Sequence, residues 1–173
     1  EDAGLHALAR NESSRTLTEL ELSYTQCTRS GIRALGESAN LDNLKRIELG
    51  SNGSIDVNAV RALLAGSPNR KITHLDLTGL AVGDDIAELI ATHPASINLE
   101  VLVLDHHRLT SAGILALARS VYLKNLDALG LSKLTTNGQI SDASIAELTS
   151  APNLTNTVIY LPHPFSRHLT SRR

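Results

Sequence analysis

A chain of 173 residues with a formal charge of −2 is long enough for one domain whose core removes roughly 70% of the unfolded surface from water. With no Trp, no Met, one Phe and three Tyr, that core has to be built from Leu, Ile, Val and Ala. The charge leaves no basic footprint for nucleic acid, no apolar run approaches the roughly 18 residues of a membrane span, and a lone Cys27 excludes an internal disulfide while favouring a reducing, cytoplasmic setting.

The chain opens on Gly4-Leu5-His6-Ala7-Leu8, which matches Gly31-Ile32-Arg33-Ala34-Leu35 at an offset of 27. It therefore begins on the helical half of a repeat whose strand is missing. No polar cap precedes that helix, and the ends of a stacked repeat need capping, so a fragment of a longer protein is expected. From Leu17 onward the spacing L-x-x-L-x-L recurs at Leu17/Leu20/Leu22, Leu44/Ile47/Leu49, Ile72/Leu75/Leu77, Leu99/Leu102/Leu104 and Leu126/Leu129/Leu131, at separations of 27, 28, 27 and 27. Each set is followed by an i, i+3 apolar pair: Ile32/Leu35, Val60/Leu63, Ile86/Leu89, Ile114/Leu117 and Ile145/Leu148. A period of two followed by one near 3.6 predicts a strand and then a helix, five times over.

Thr28, Asp56, Thr110 and Ser141 each stand four residues before the first apolar helix position, where a side-chain oxygen can accept from unpaired backbone N–H groups. The third repeat has Val82 there and offers Gly83-Asp84-Asp85 instead. Pro68, Pro94 and Pro152 stop helix propagation. The fifth repeat runs longer, with an Asn137-Gly138 turn signal in the extra residues, and the next strand starts at either Leu154 or Val158/Leu161. The expected organisation is a repeat domain over 1–161 (partial repeat 1–16, five repeats from 17, an irregular last turn) and a C-terminal tail or linker over 162–173. The N-x-S/T tripeptides at Asn11, Asn52 and Asn153 read as chance matches, since no signal-like segment accompanies them.

The recurring L-x-x-L-x-L followed by a helix resembles leucine-rich repeats, and the long repeat is similar to the ribonuclease-inhibitor-like subfamily. That resemblance implies an α/β solenoid, a curved right-handed βα superhelix with a parallel inner sheet and outer helices. Position nine of the family consensus, Asn or Cys, reads Thr25, Asn52, Leu80, His107 and Leu134, so a regular Asn ladder is not expected and His107 should stand in for one Asn. If the leucines at positions one, four and six point inward, the residues between them line the concave surface.

Those lining residues include Glu19, Glu21, Tyr24, Arg46, Glu48, His74, Asp76, Val101, Val103, Asp105, His106 and Lys133. Position five alone reads Glu21, Glu48, Asp76, Val103, Gly130: an acidic column giving way to small and apolar residues. Like charges on neighbouring strands are mildly destabilising. Either solvent together with Arg46, Lys45 and His74 offsets them, or a partner with a basic surface occupies the groove, with Tyr24, Val101 and Val103 as apolar anchors. His74, Asp76, Asp105 and His106, with His107 beside them, form the sharpest arrangement with metal-ligating chemistry; its spacing is not diagnostic, and no metal or cofactor is expected. His74 or His106 would also make a partner contact proton-sensitive. Cys27 reads as a small buried hydrophobe, and no catalytic or phosphate-binding motif occurs.

The expected function is a non-enzymatic scaffold binding a protein partner on its concave face. The alternative is the substrate-recognition domain of a larger effector or ubiquitin-ligase-type protein. GLHALA (4–9), GIRALG (31–36) and GILALA (113–118) are similar to the G-x-x-A-L-A helix motif of plant-pathogen effectors that pair leucine-rich repeats with an F-box. That resemblance would imply the host cytosol as its location.

Overall fold

The computed structural model describes residues 2–80, 82–134 and 140–161. Six strands, β1 (Glu19–Glu21), β2 (Arg46–Glu48), β3 (His74–Asp76), β4 (Val101–Val103), β5 (Ala128–Gly130) and β6 (Val158–Tyr160), pair in sequence order as one parallel sheet. Between them run α2 (Arg29–Glu37), α3 (Val57–Leu64), α4 (Asp84–Thr92), α5 (Ser111–Ala118) and α6 (Asp142–Ser150), with α1 (Asp2–Arg10) ahead of β1. The chain thus opens on a helical half-repeat, as its first residues predict. Short 3₁₀ turns lead from helix to strand in every turn except the third.

The registers stack like on like: Leu20↔Ile47, Ile47↔Leu75, Leu75↔Leu102, Leu102↔Leu129 and Leu129↔Ile159. These residues and the leucines at positions one and six form a continuous aliphatic core with the apolar helix faces, and Cys27 is 1% exposed within it. Of the two possible sixth strands, the fold adopts the later one. Leu154 closes a 3₁₀ turn and is buried there, while Ile159 and Leu161 take the inward positions. The Asn137-Gly138 signal and the tail 162–173 lie outside the described residues.

Thr28, Asp56, Thr110 and Ser141 each accept a backbone N–H at the start of the following helix. At α4 the position is Gly83 without a side-chain cap, and Asp85 Oδ1 accepts from Gly83 and Ile86 instead. Two caps are themselves held by the preceding turn. Asp2 accepts from the Thr28 N–H and hydroxyl at 2.8 and 2.5 Å, and Asp84 does the same for Thr110. That reach explains Gly31 and Gly113. A Cβ at Gly31 would lie 2.6 Å from Asp2 Oδ1, and one at Gly113 would run into Asp84.

Two side chains do the work of the position-nine ladder. Asn52 Nδ2 donates to the Leu22 and Leu49 carbonyls at 2.8 and 2.9 Å, joining the first two turns. The buried His107 ring joins the third and fourth, with Nε2 2.8 Å from the Leu77 carbonyl and Nδ1 3.2 Å from that of Val82. Leu80 and Leu134, at the same position of the third and fifth turns, are buried.

Candidate functional site

On each three-residue strand the middle residue points into the core, so the flanking pair faces the concave side. The registers build two columns. One runs Glu19, Arg46, His74, Val101, Ala128, Val158; the other runs Glu21, Glu48, Asp76, Val103, Gly130, Tyr160. The first three strands therefore display ionisable groups and the last three display none but the Tyr160 phenol. Val158 and Tyr160 are 54% and 52% exposed. Sequence reasoning missed both because the sixth turn was ambiguous. The signal was the alternation Val158-Ile159-Tyr160-Leu161, whose two inward residues match consensus positions four and six.

The acidic column is compensated at one point. Arg46 Nε donates to Glu48 Oε1 at 3.0 Å. Asp76 Oδ1 accepts the Thr78 N–H at 2.8 Å, which anchors the carboxylate without neutralising it. Among the described residues, Glu19 and Glu21 are exposed and belong to no ion pair, and neither Lys45 nor His74 pairs with the column. His74 instead shares a hydrogen bond with the Thr73 hydroxyl at 2.9 Å. Where the acidic and apolar halves meet, Arg46, Glu48, His74, Asp76, Val101 and Val103 surround a dimple of about 40 Å³.

Tyr24 and His106 stand at the margin where the strands end. With Ser51 and Gly79 they adopt left-handed backbone, φ 57° to 66°, at the same position in four successive turns. Their shared geometry has a cause: the N–H groups of Tyr24, Ser51 and Gly79 still donate to the next turn, at 2.7–3.0 Å, while the chain turns away toward the helices. Only Gly79 announces that conformation in the sequence. Tyr24 is 80% exposed, and His106 and Lys133 are exposed at the equivalent position of the fourth and fifth turns. These three form a rim rather than the floor of the groove.

Asp105 does not complete a metal centre with its neighbours. Its Oδ1 accepts the Ser132 N–H at 2.8 Å, tying the fourth turn to the fifth, and His107 is directed into the core. Among the described residues, no group of three or more His, Cys, Asp or Glu converges to hold a metal ion. No helix among them is long and apolar enough to cross a membrane.

No curated protein matches the chain. A family model described as leucine-rich repeat matches residues 13–36, 69–91 and 95–118. Each match takes in a strand or the approach to one, or a helix of the solenoid, and the six parallel turns continue the pattern on either side. The chain therefore carries leucine-rich repeats, stacked as an α/β solenoid.

Proposed function

We propose that this chain is a scaffold of the ribonuclease-inhibitor-like kind that binds a protein partner along its concave face. Leucine-rich repeats generally mediate protein–protein interaction and are typically non-enzymatic. The observation that carries the reading here is the state of the sheet's open face. Among the described residues Glu19 and Glu21 stand exposed without an ion-pair partner, and Val158 and Tyr160 stand half-exposed on the same surface. Adjacent carboxylates repel, and exposed aromatic and aliphatic side chains forgo burial; a partner offering cations and apolar groups would relieve both.

The effector reading draws no support from the G-x-x-A-L-A helices. Gly31 and Gly113 are accounted for by the approach of Asp2 and Asp84, which is a packing requirement within this fold.

The test compares opposite faces. The variant Glu21→Lys/Asp76→Lys alters the groove, and Arg33→Glu/Glu37→Lys alters an exposed ion pair on the outer helix α2. A protein captured by the parent chain should be lost from the first variant and kept by the second, with circular dichroism unchanged in both. Loss from the outer variant alone would move the binding face to the helices.

A further inference from the structure

The two halves of the concave face differ in chemistry along the stack, not across it. We infer that the occupant is a linear segment of protein that is cationic at one end and aliphatic or aromatic at the other. It would lie across the strands with its cations over β1–β3 and its apolar side chains over β4–β6. This rests on the concave-face reading above and goes further, to the order of chemistry within the partner.

Three observations carry it. First, at β1–β3 the charge is available: among the described residues Glu19 and Glu21 are exposed and belong to no ion pair, and Asp76 accepts only a neutral backbone donor, the Thr78 N–H. Second, the face over β4–β6 carries neither carboxylate nor cation in either column. Acids border this half without entering its columns: Glu100 and Asp127 are exposed just ahead of β4 and β5, and Asp105 Oδ1 accepts the Ser132 N–H. Third, the apolar half offers contact surface at its far end, where Val158 and Tyr160 are half-exposed, and the Val103 side chain covers Gly130 between them and β4.

Neighbouring strands lie about 4.8 Å apart, so six of them span roughly 24 Å, the length of about seven extended residues. One short segment can therefore reach both halves at once. A helix with a basic face and an apolar face running its whole length would not match, because its polarity lies around the axis rather than along it.

The test uses synthetic peptides and the intact chain, with binding read by fluorescence anisotropy. One peptide carries a Lys/Arg block followed by a Val/Tyr block, a second reverses the two, and a third alternates the same residues. One block order should bind about tenfold tighter than the alternating peptide and weaken with added salt, as charge pairing at an exposed surface does. Glu21→Lys/Asp76→Lys should abolish that salt dependence, whereas Val101→Ser/Val103→Ser should lower affinity and leave it in place. Equal binding of block and alternating peptides would overturn the inference while the concave reading stands on its own two-face test. Failure of every peptide to bind would also overturn it, as would block-specific binding that survives both groove variants.

Discussion

The junction between α2 and α3 and the junction between α3 and α4 belong to neighbouring turns, yet they are built in different ways. At the first, glycines let two backbones nearly touch. A Cβ on Gly36 would lie 2.5 Å from the Ala62 carbonyl oxygen, and one on Gly66 would strike the Gly36 carbonyl. So close an approach strands helix-end carbonyls away from water, and Arg70 answers them. Its buried guanidinium donates to the carbonyls of Leu41, Gly36 and Ser38 at 3.0, 3.1 and 2.6 Å. Arg70 sits in the one turn without a 3₁₀ segment, where its extended chain can reach back. At the second junction neither helix contains a glycine, their buried residues include Val60, Leu64, Ile86 and Ile90, and their backbones approach each other far less. No hydrogen bond or ion pair joins α3 to α4 among the described residues. One junction is held by polar satisfaction at close range, the other by aliphatic burial at longer range, while the sheet beneath both is uninterrupted.

The largest contrast should come from adding and removing methyl-sized groups. Gly36→Val has to push backbone against backbone and should cost about 3 kcal/mol or more, as severe overpacking does. Ile90→Val at the wider junction should cost only about 0.5–1.5 kcal/mol. Urea denaturation of the two variants checks the pair, and equal costs would erase the distinction. Next, Arg70→Met keeps the volume but leaves three buried acceptors without a donor, and should lose on the order of 3 kcal/mol. Hydrogen exchange should locate the loss at the C-terminal end of α2 and the 3₁₀ turn that follows it.

The smallest effect sharpens the second junction. His93 follows α4, and its Nδ1 accepts the Ala95 N–H at 3.2 Å, capping the next 3₁₀ turn. Burial first, and then the nearby positive charge of Arg61 on α3, hold the imidazole below its ordinary value of 6.5. The unfolded chain therefore takes up a proton at higher pH than the folded one does, so stability falls as pH drops through 6.5 toward the folded value. Protonation would remove the cap acceptor and set two cations facing each other across α3 and α4. Loss of the cap is worth about 1 kcal/mol. Thermal unfolding between pH 7.5 and 5 should show that decline, and His93→Asn, which keeps an acceptor but does not titrate, should flatten it.

The repeat architecture was legible in the sequence because its cause is periodic. Leucines recurring at two spacings name strand and helix, and their 27-residue recurrence names the stack. The helix starts at Thr28, Asp56, Thr110 and Ser141 were legible for the same local reason. Less of the candidate site could be read. Glu21, Glu48 and Asp76 fall into a column by register alone, but that Glu48 is the one paired carboxylate depends on the reach of Arg46. That Tyr24 and His106 form a rim depends on a left-handed backbone at that position, which their own sequence does not announce. The spacing of His74, Asp76, Asp105 and His106 was not diagnostic of a metal, and it could not show that Asp76 and Asp105 each accept a backbone N–H.

What the sequence by itself determined is the number of inward-facing positions, their order and the alternation of strand and helix, since these follow from which side chains avoid water and at what period. What only the tertiary structure decided is how tightly each turn sits on the next, and which polar groups that closeness uses up. Gly36 and Gly66 mark a close approach of two backbones that the sequence pattern does not announce. A lone arginine in a loop proved to satisfy a neighbouring turn, because a buried carbonyl must find its donor in space, wherever along the chain that donor lies.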